Sequence, residues 1–381
     1  MKNNLANPFV MAGYHGPTYF CDRKEESEKM ILALTNERDL TLISPRRIGK
    51  TGLIQHVFYL LKEADPAVNC FYLDIFSTQN LHDFVTLFGN MVLGQLDPFS
   101  TTIMNKMMAF FKNCRPSFSY DSMTDSPKLL LEIDAAHLEN SLQEIFQYLQ
   151  ESGKTCFIAM DEFQQITTWP EKGVETLLCS YIQSLPNVHF IFSGSKKHLM
   201  DAIFTSVNHP FYQSTQEIVL GAIPCEVYQQ FAIQLFSDAG KILTESMFHY
   251  IYDTMLGHTW YIQLILNQLY ALPKKEYSEE DLFHILNAML QEENATYNTY
   301  CEMITKGQLR LLIAIAKEKK VASPFENSFM KKYDLTAVSS VKLALNSLVD
   351  KTLLLQDENG GYFVYDRFFS LWLEKNKGGV R

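Results

Sequence analysis

The stretch SPRRIGKTGL, Ser44 to Leu53, holds an intact Gly49-Lys50-Thr51. Ser44, however, stands where the phosphate-loop pattern Gly-x-x-x-x-Gly-Lys-Ser/Thr begins with glycine. A bare Gly-Lys-Thr tripeptide decides little, so the flanks must. Upstream, LTLIS (Leu40 to Ser44) is a short apolar run suited to a buried parallel strand. Downstream, TGLIQHVFYLLKE puts Leu53, Ile54, Val57, Phe58, Leu60 and Leu61 at helical spacing. Strand, loop, helix is the context the pattern needs, against the alternative of an ordinary strand-to-helix turn. It aims the N–H groups of the loop and the positive end of the helix at one point, an anion site. Pro45, Arg46, Arg47, Ile48, Gly49, Lys50, Thr51 and Gly52 are then the residues around the phosphates. Lys50 reaches the β- and γ-phosphates, and the Thr51 hydroxyl can ligate Mg2+. Ser44 is tolerated there if its φ is negative. Arg46 and Arg47 could touch phosphate or a neighbouring subunit, or be solvated loop arginines.

A phosphate loop calls for a second strand that brings a carboxylate to the metal. TCFIAMDEFQQI, Thr155 to Ile166, supplies it: Cys156 to Met160 form an apolar strand ending in Asp161-Glu162. Asp161 can hold Mg2+ through water beside Thr51, and Glu162 can orient and polarise the attacking water. An isolated Asp-Glu pair would read as a solvated loop start; the buried strand before it argues otherwise. A third strand, VHFIFSG (Val188 to Gly194), leads into SGSKKH. There Ser193 or, preferred, Ser195 could show a hydroxyl to the γ-phosphate, although serines at strand ends also serve as turn formers.

With CFYLDIFS (Cys70 to Ser77) and QEIVL (216–220), the strands fall at 40–44, 70–75, 156–160, 188–192 and 216–220, with helices between. That alternation predicts an α/β fold with a parallel sheet covered on both faces. Ligands of such sheets lie beyond the carboxyl ends of the strands, where Lys50, Thr51, Asp161, Glu162 and Ser195 all fall.

Composition sets bounds. The 381 residues are 47% hydrophobic and 13% aromatic, enough for two or three domains with sizeable cores. A net charge of -10 argues against a nucleic-acid coat protein. No apolar run is long enough to cross a bilayer, and MKNNLANPFV lacks the apolar core of a signal peptide. Seven scattered cysteines, never spaced Cys-x-x-Cys, suit reduced thiols in a cytoplasmic protein.

Residues 223–302 read as a helical lid, with Gly240 as a helix stop and Thr244 and Ser278 as caps. Residues 303–381 read as three helices and a hairpin turning at Glu358-Asn359-Gly360-Gly361, a winged helix. From residue 305 onward the chain carries 13 Lys+Arg against 8 Asp+Glu, so its one basic region coincides with a fold that often binds DNA. The candidate recognition helix (337–349) offers a single Lys342 toward base edges, which keeps a protein-docking role open.

With these pieces in hand, the chain resembles the archaeal-type P-loop ATPases of the AAA+/STAND group. The likeness rests on Asp22-Arg23 with KEESEKMILAL, on SPRRIGKTGL and CFIAMDEFQQI, and on FIFSGSKKHLM, HPFYQ and GHTWYIQLILNQL. It covers nearly the whole chain, with 1–222 as the ATPase domain. The resemblance implies Mg-dependent ATP binding and hydrolysis, with Lys50, Thr51, Asp161 and Glu162 in the roles above. It also implies that Asp22, Arg23 and the turn before them lie near the adenine; on the residues alone, Asp22 reads equally as a helix cap. Two departures stand out. Relatives often carry Gly-x-Pro at the start of a lid helix, where this chain has Gly257-His258-Thr259, and HPFYQSTQEI lacks the arginine that often follows such a segment. Between Arg47 and the C-terminal domain the only arginine is Arg115. Two readings follow: a slow ATPase acting as a nucleotide-driven switch, or a nucleotide-loaded DNA or protein adaptor that hydrolyses little.

Overall fold

The structure, a computed structural model, describes residues 5–96, 107–121, 126–357 and 360–377. They divide into two compact units, Met1–Phe231 with Gly257–Trp260, and Ala232–Leu256 with Tyr261–Arg381.

The first unit is built on a five-stranded sheet of β1 (Leu40–Ile43), β2 (Asn69–Asp74), β5 (Cys156–Asp161), β6 (Val188–Gly194) and β7 (Gln216–Val219), in the order β2-β5-β6-β1-β7. Every neighbouring pair is parallel. β1, β5 and β6 are buried along their whole length, as expected where both faces are covered. Alternate side chains serve different cores. Phe157 and Ala159 join Leu40, Leu42 and Ile191 under α1 (Lys24–Thr35) and α2 (Lys50–Ala64). Ile158, Met160, Phe190 and Phe192 join Phe84, Phe88, Ile145, Leu178 and Ile203 from α3 (Leu81–Leu96), α4 (Leu138–Glu151), α5 (Val174–Ile182) and α6 (Lys197–Thr205). Each fully buried side chain of this kind contributes about 1.5–3 kcal/mol. The five strands lie where the alternation predicts them. An antiparallel hairpin, β3 (Cys114–Asp121) with β4 (Ser126–Ile133), is an addition that the sequence reading did not foresee. Gly89 of α3 admits it: a Cβ there would come within 2.7 Å of Leu131 and 2.9 Å of Ile145.

Asp39, just ahead of β1, ties the amino ends of three strands. Its carboxylate accepts the Phe190 N–H at 2.7 Å and its carbonyl accepts the Gln216 N–H at 2.9 Å. Burial pushes this carboxyl up to about 6, although the Phe190 N–H pulls the other way.

The second unit is helical apart from one small sheet. α7 (Cys225–Asp238) enters it from the first unit, and Gly240 follows with a φ of 65°. Thr244 caps α8 (Glu245–Thr254), and Ser278 with Asp281 forms a capping box on α10 (Glu279–Glu292), both as read from the sequence. α9 (Thr259–Ala271) and α11 (Asn294–Glu302) complete the helices ahead of the winged helix. The winged helix comprises α12 (Lys306–Lys317), α13 (Asn327–Lys332), α14 (Val338–Asp350) and the hairpin β8 (Leu354–Gln356) with β9 (Tyr362–Val364). Glu358 and Asn359 of the expected turn lie outside the described residues. A further helix, α15 (Arg367–Lys377), was not foreseen; it buries Phe368, Phe369, Trp372 and Leu373.

Candidate nucleotide-binding site

Ser44 ends the approach to the loop with its N–H on the Gly194 carbonyl, and it is absent from the residues of positive φ, so the serine is tolerated as expected. The chain then turns through left-handed Arg47 (φ 68°) and Gly49 (φ 106°), and α2 begins at Lys50. No side chain caps α2, so the first N–H groups of the helix are left to a ligand or to water.

Lys50 is buried, and its ammonium meets both carboxylates at the end of β5, Asp161 Oδ1 at 3.0 Å and Glu162 Oε1 at 3.5 Å. The exposed Thr51 hydroxyl donates to Asp161 Oδ2 at 3.3 Å. Asp161 also accepts from Ser193 Oγ (2.6 Å), Tyr72 OH (2.5 Å) and the Glu162 N–H (2.9 Å). Burial alone would raise its carboxyl. The Lys50 charge and the Ser193, Tyr72 and Lys50 hydrogen bonds outweigh that and hold it below the usual carboxylate range. Burial and the Asp161 charge push the Tyr72 phenol the other way, upward, so it stays a donor.

Glu162 is left-handed (φ 56°) and buried. Its Oε2 accepts from Ser195 Oγ (2.8 Å) and Gln164 Nε2 (2.5 Å), and Arg46 Nε lies 3.9 Å from Oε1. Gly194 makes room for this, since a Cβ there would fall 2.3 Å from Gln164 Oε1. Ser193 and Ser195 thus divide between the two carboxylates. Tyr72 and Gln164 were not singled out in the sequence: Tyr72 lies in CFYLDIFS, read only as a strand, and Gln164 stands two residues after Glu162 in CFIAMDEFQQI, where only the acidic pair was given a role. Asp74, the register partner of Asp161 on β2, adds a third carboxylate, raised by burial first and by the neighbouring acids.

Asp22 does not cap α1. The cap position is Arg23, left-handed at φ 65°, with no capping side chain. Arg23 is drawn inward instead, donating to the carbonyls of Gly221 (2.7 Å) and Ile48 (3.4 Å) and pairing with Glu26 (3.1 Å). The helix therefore starts one residue later than its sequence suggests. The preceding turn sets Phe20 against the loop: its ring lies 3.5 Å from where a Gly52 Cβ would be and stacks on His56 at 4.3 Å. Tyr14 OH sits 2.7 Å from His56 Nδ1. Arg115 falls on β3, opposite Glu132 in the hairpin register.

Residues 295–375 match the family described as "Probable winged helix domain". No curated relative matches the sequence. Among solved structures, the chain is similar to the Walker-type ATPase of Pyrococcus abyssi (TM-score 0.65, 16% identity, covering 96% of this chain and 99% of that one). It is also similar to the ORC2 protein of Aeropyrum pernix in its ADPNP–ADP complexes (0.57, 14%, 98% of each chain). The ORC1 protein of Aeropyrum pernix in complex with DNA gives 0.52 at 11% identity, over 98% of this chain and 97% of that one. Among the described residues no helix is long and apolar enough to cross a membrane. With its phosphate loop on a five-stranded parallel sheet and its winged helix at the C-terminal end, the chain has the fold of an archaeal-type P-loop ATPase.

Proposed function

We propose that this protein binds Mg-ATP and hydrolyses it slowly, as a cytoplasmic nucleotide-driven switch in which 223–302 acts as a lid. The observation that carries this is the meeting of Lys50 and Thr51, from the first turn of α2, with Asp161 and Glu162 at the end of β5. Lys50 supplies a point charge to the β- and γ-phosphates, and the uncapped N–H groups of the loop supply the rest. Glu162, held by Ser195 and Gln164, orients and polarises the attacking water and takes its proton. Arg46, near Glu162, is the loop cation placed to meet charge on the γ-phosphate.

The donor set suits magnesium. Thr51 and Asp161 offer hard oxygens, and among the described residues no cluster of three or more His, Cys, Asp or Glu could hold a metal alone. The remaining ligands would be water and phosphate oxygens, as Mg2+ prefers. When bound, the ion neutralises phosphate charge. Calorimetry with Mg-ATP and a phosphate-release assay test the reading; absence of binding overturns it. The adaptor alternative is favoured by the lack of arginine after HPFYQ, and binding without phosphate release would select it.

For the winged helix we propose at most weak, sequence-tolerant contact with DNA, the ligand in the Aeropyrum pernix ORC1 structure. Its cations are partly spent within the domain: Arg310 pairs with Asp334, Lys332 with Glu318 and Lys320 with Asp357. The outer face of α14 shows Val338 and Leu343 beside Lys342, a composition that also suits a protein partner. Titrating the full chain against labelled duplex at two salt concentrations decides between them, because phosphate contacts weaken steeply with salt. No binding at the lower salt reassigns the winged helix to protein contacts.

A further inference from the structure

The carbonyls of the phosphate loop are held by three donors, two from the start of α9 and one from Arg23. The Trp260 N–H donates to the Arg47 carbonyl at 3.0 Å. The Thr259 hydroxyl donates to the Ile48 carbonyl at 2.9 Å, and Arg23 reaches the same carbonyl. The Arg47 guanidinium lies over the Trp260 ring, 4.5 Å from its centroid. These contacts bear on the strained part of the loop. Arg47 carries a Cβ in left-handed backbone, a conformation that persists only where the surroundings enforce it. The position read as a departure from Gly-x-Pro gains a meaning: proline has no hydroxyl, and Thr259 supplies one where the loop has a carbonyl to satisfy.

We infer that Thr259 and Trp260 are positioning residues for the phosphate loop. By fixing the carbonyls of Arg47 and Ile48 on one side they keep the following N–H groups turned to the phosphates, and the Arg47–Trp260 stack registers any movement of the loop. The inference rests on the nucleotide-binding reading above. Gly257–Trp260 belong to the same compact unit as the loop, and the chain passes to the other unit at Tyr261, within the same helix. On the other side the chain turns through left-handed Leu256 and Gly257. A shift of the Arg47 carbonyl is thus delivered to the first turn of α9, where the signal a switch needs begins.

The test combines calorimetry with intrinsic fluorescence in the full-length chain. Thr259→Val should weaken Mg-ATP binding about fivefold, the share of one hydrogen bond, while Thr259→Ser should bind as the wild type does. Mg-ADP should change the tryptophan emission of the wild type, and Trp260→Phe, which leaves Trp169 and Trp372 in place, should abolish that change. Arg47→Lys, which loses the planar stacking group, should reduce it. Unaltered affinity in Thr259→Val, or a full emission change in Trp260→Phe, overturns the inference while leaving nucleotide binding intact. A wild type that binds no Mg-ATP defeats the nucleotide reading and the inference with it.

Discussion

Two carboxylates mark opposite ends of one sheet and have opposite fates. Asp39, at the amino ends, has its carboxyl pushed up to about 6 by burial, which one backbone N–H offsets only in part. Asp161, at the carboxyl ends, is buried as well, yet it is held below the usual range by an ammonium and two hydroxyls. Depth of burial therefore does not set the charge state; the partners do. At one end a carboxylate serves the sheet as an acceptor. At the other it is kept ionised at physiological pH, the state that a metal and a lysine require.

The harshest way to break this contrast is Lys50→Ala. It removes the ammonium from Asp161 and Glu162 together and leaves the loop amides to balance a triphosphate alone. Mg-ATP binding should disappear in calorimetry, and unchanged binding would show that the phosphate loop lies elsewhere. Glu162→Gln is narrower. The amide can still meet Ser195 but cannot polarise or deprotonate water, so binding should persist while phosphate release falls about 10²–10⁴-fold. Near-normal release would move the base to another residue.

The other end of the sheet gives a stability prediction. For Asp39 the folded pKa is raised, so its contribution to stability is full below the unfolded value near 4 and is lost as pH rises through about 6. Asn at this position keeps an acceptor for the Phe190 N–H without the buried charge. Asp39→Asn should therefore be more stable than the wild type by about 1–2 kcal/mol at pH 8, with the gap closing toward pH 4. Asp161 has the opposite sign: its contribution is present above the unfolded carboxylate pKa and lost as pH falls through its depressed folded value. Denaturation midpoints of Asp39→Asn and wild type across pH 4–8 check this, and a constant difference would mean that Asp39 is not titrating.

Much of this was legible beforehand, for a physical reason. Fully buried parallel strands are apolar runs, and a phosphate loop is local in sequence, so β1, β5, β6 and the Lys50–Thr51 pair could be read directly. The β3–β4 hairpin could not, because Pro116 and Pro127 argue against strands except at sheet edges. The cap reading of Asp22 failed because the pull on Arg23 comes from Ile48 and Gly221, remote in sequence. Tyr72 acts through a hydrogen bond that only the folded sheet creates, whereas Gln164 acts on Glu162 two residues away, through a turn whose shape the spacing does not reveal. Strand order, which makes Tyr72 a neighbour of Asp161, leaves no trace in spacing.

Tyr72 supplies the finest test of the contrast. Its phenol donates to Asp161 Oδ2 and lies 3.3 Å from Thr51 Oγ1, bridging the two residues assigned to the metal. Phenylalanine would keep the ring and remove only that bridge. Asp161 Oδ1 would still accept from Ser193 and the Glu162 N–H and face Lys50, so the carboxylate should hold its place and stay ionised. The loss should fall on the Thr51 side of the site and be worth about one hydrogen bond. Tyr72→Phe should therefore raise the Mg2+ concentration for half-maximal nucleotide binding about two- to fivefold, with metal-free nucleotide affinity unchanged. Mn2+ titrations followed by electron paramagnetic resonance, with ADP present, give the same comparison without turnover. Tighter metal binding in the variant would mean that the phenol competes with the ion for Asp161, and that this end of the sheet is compensated more than catalysis needs.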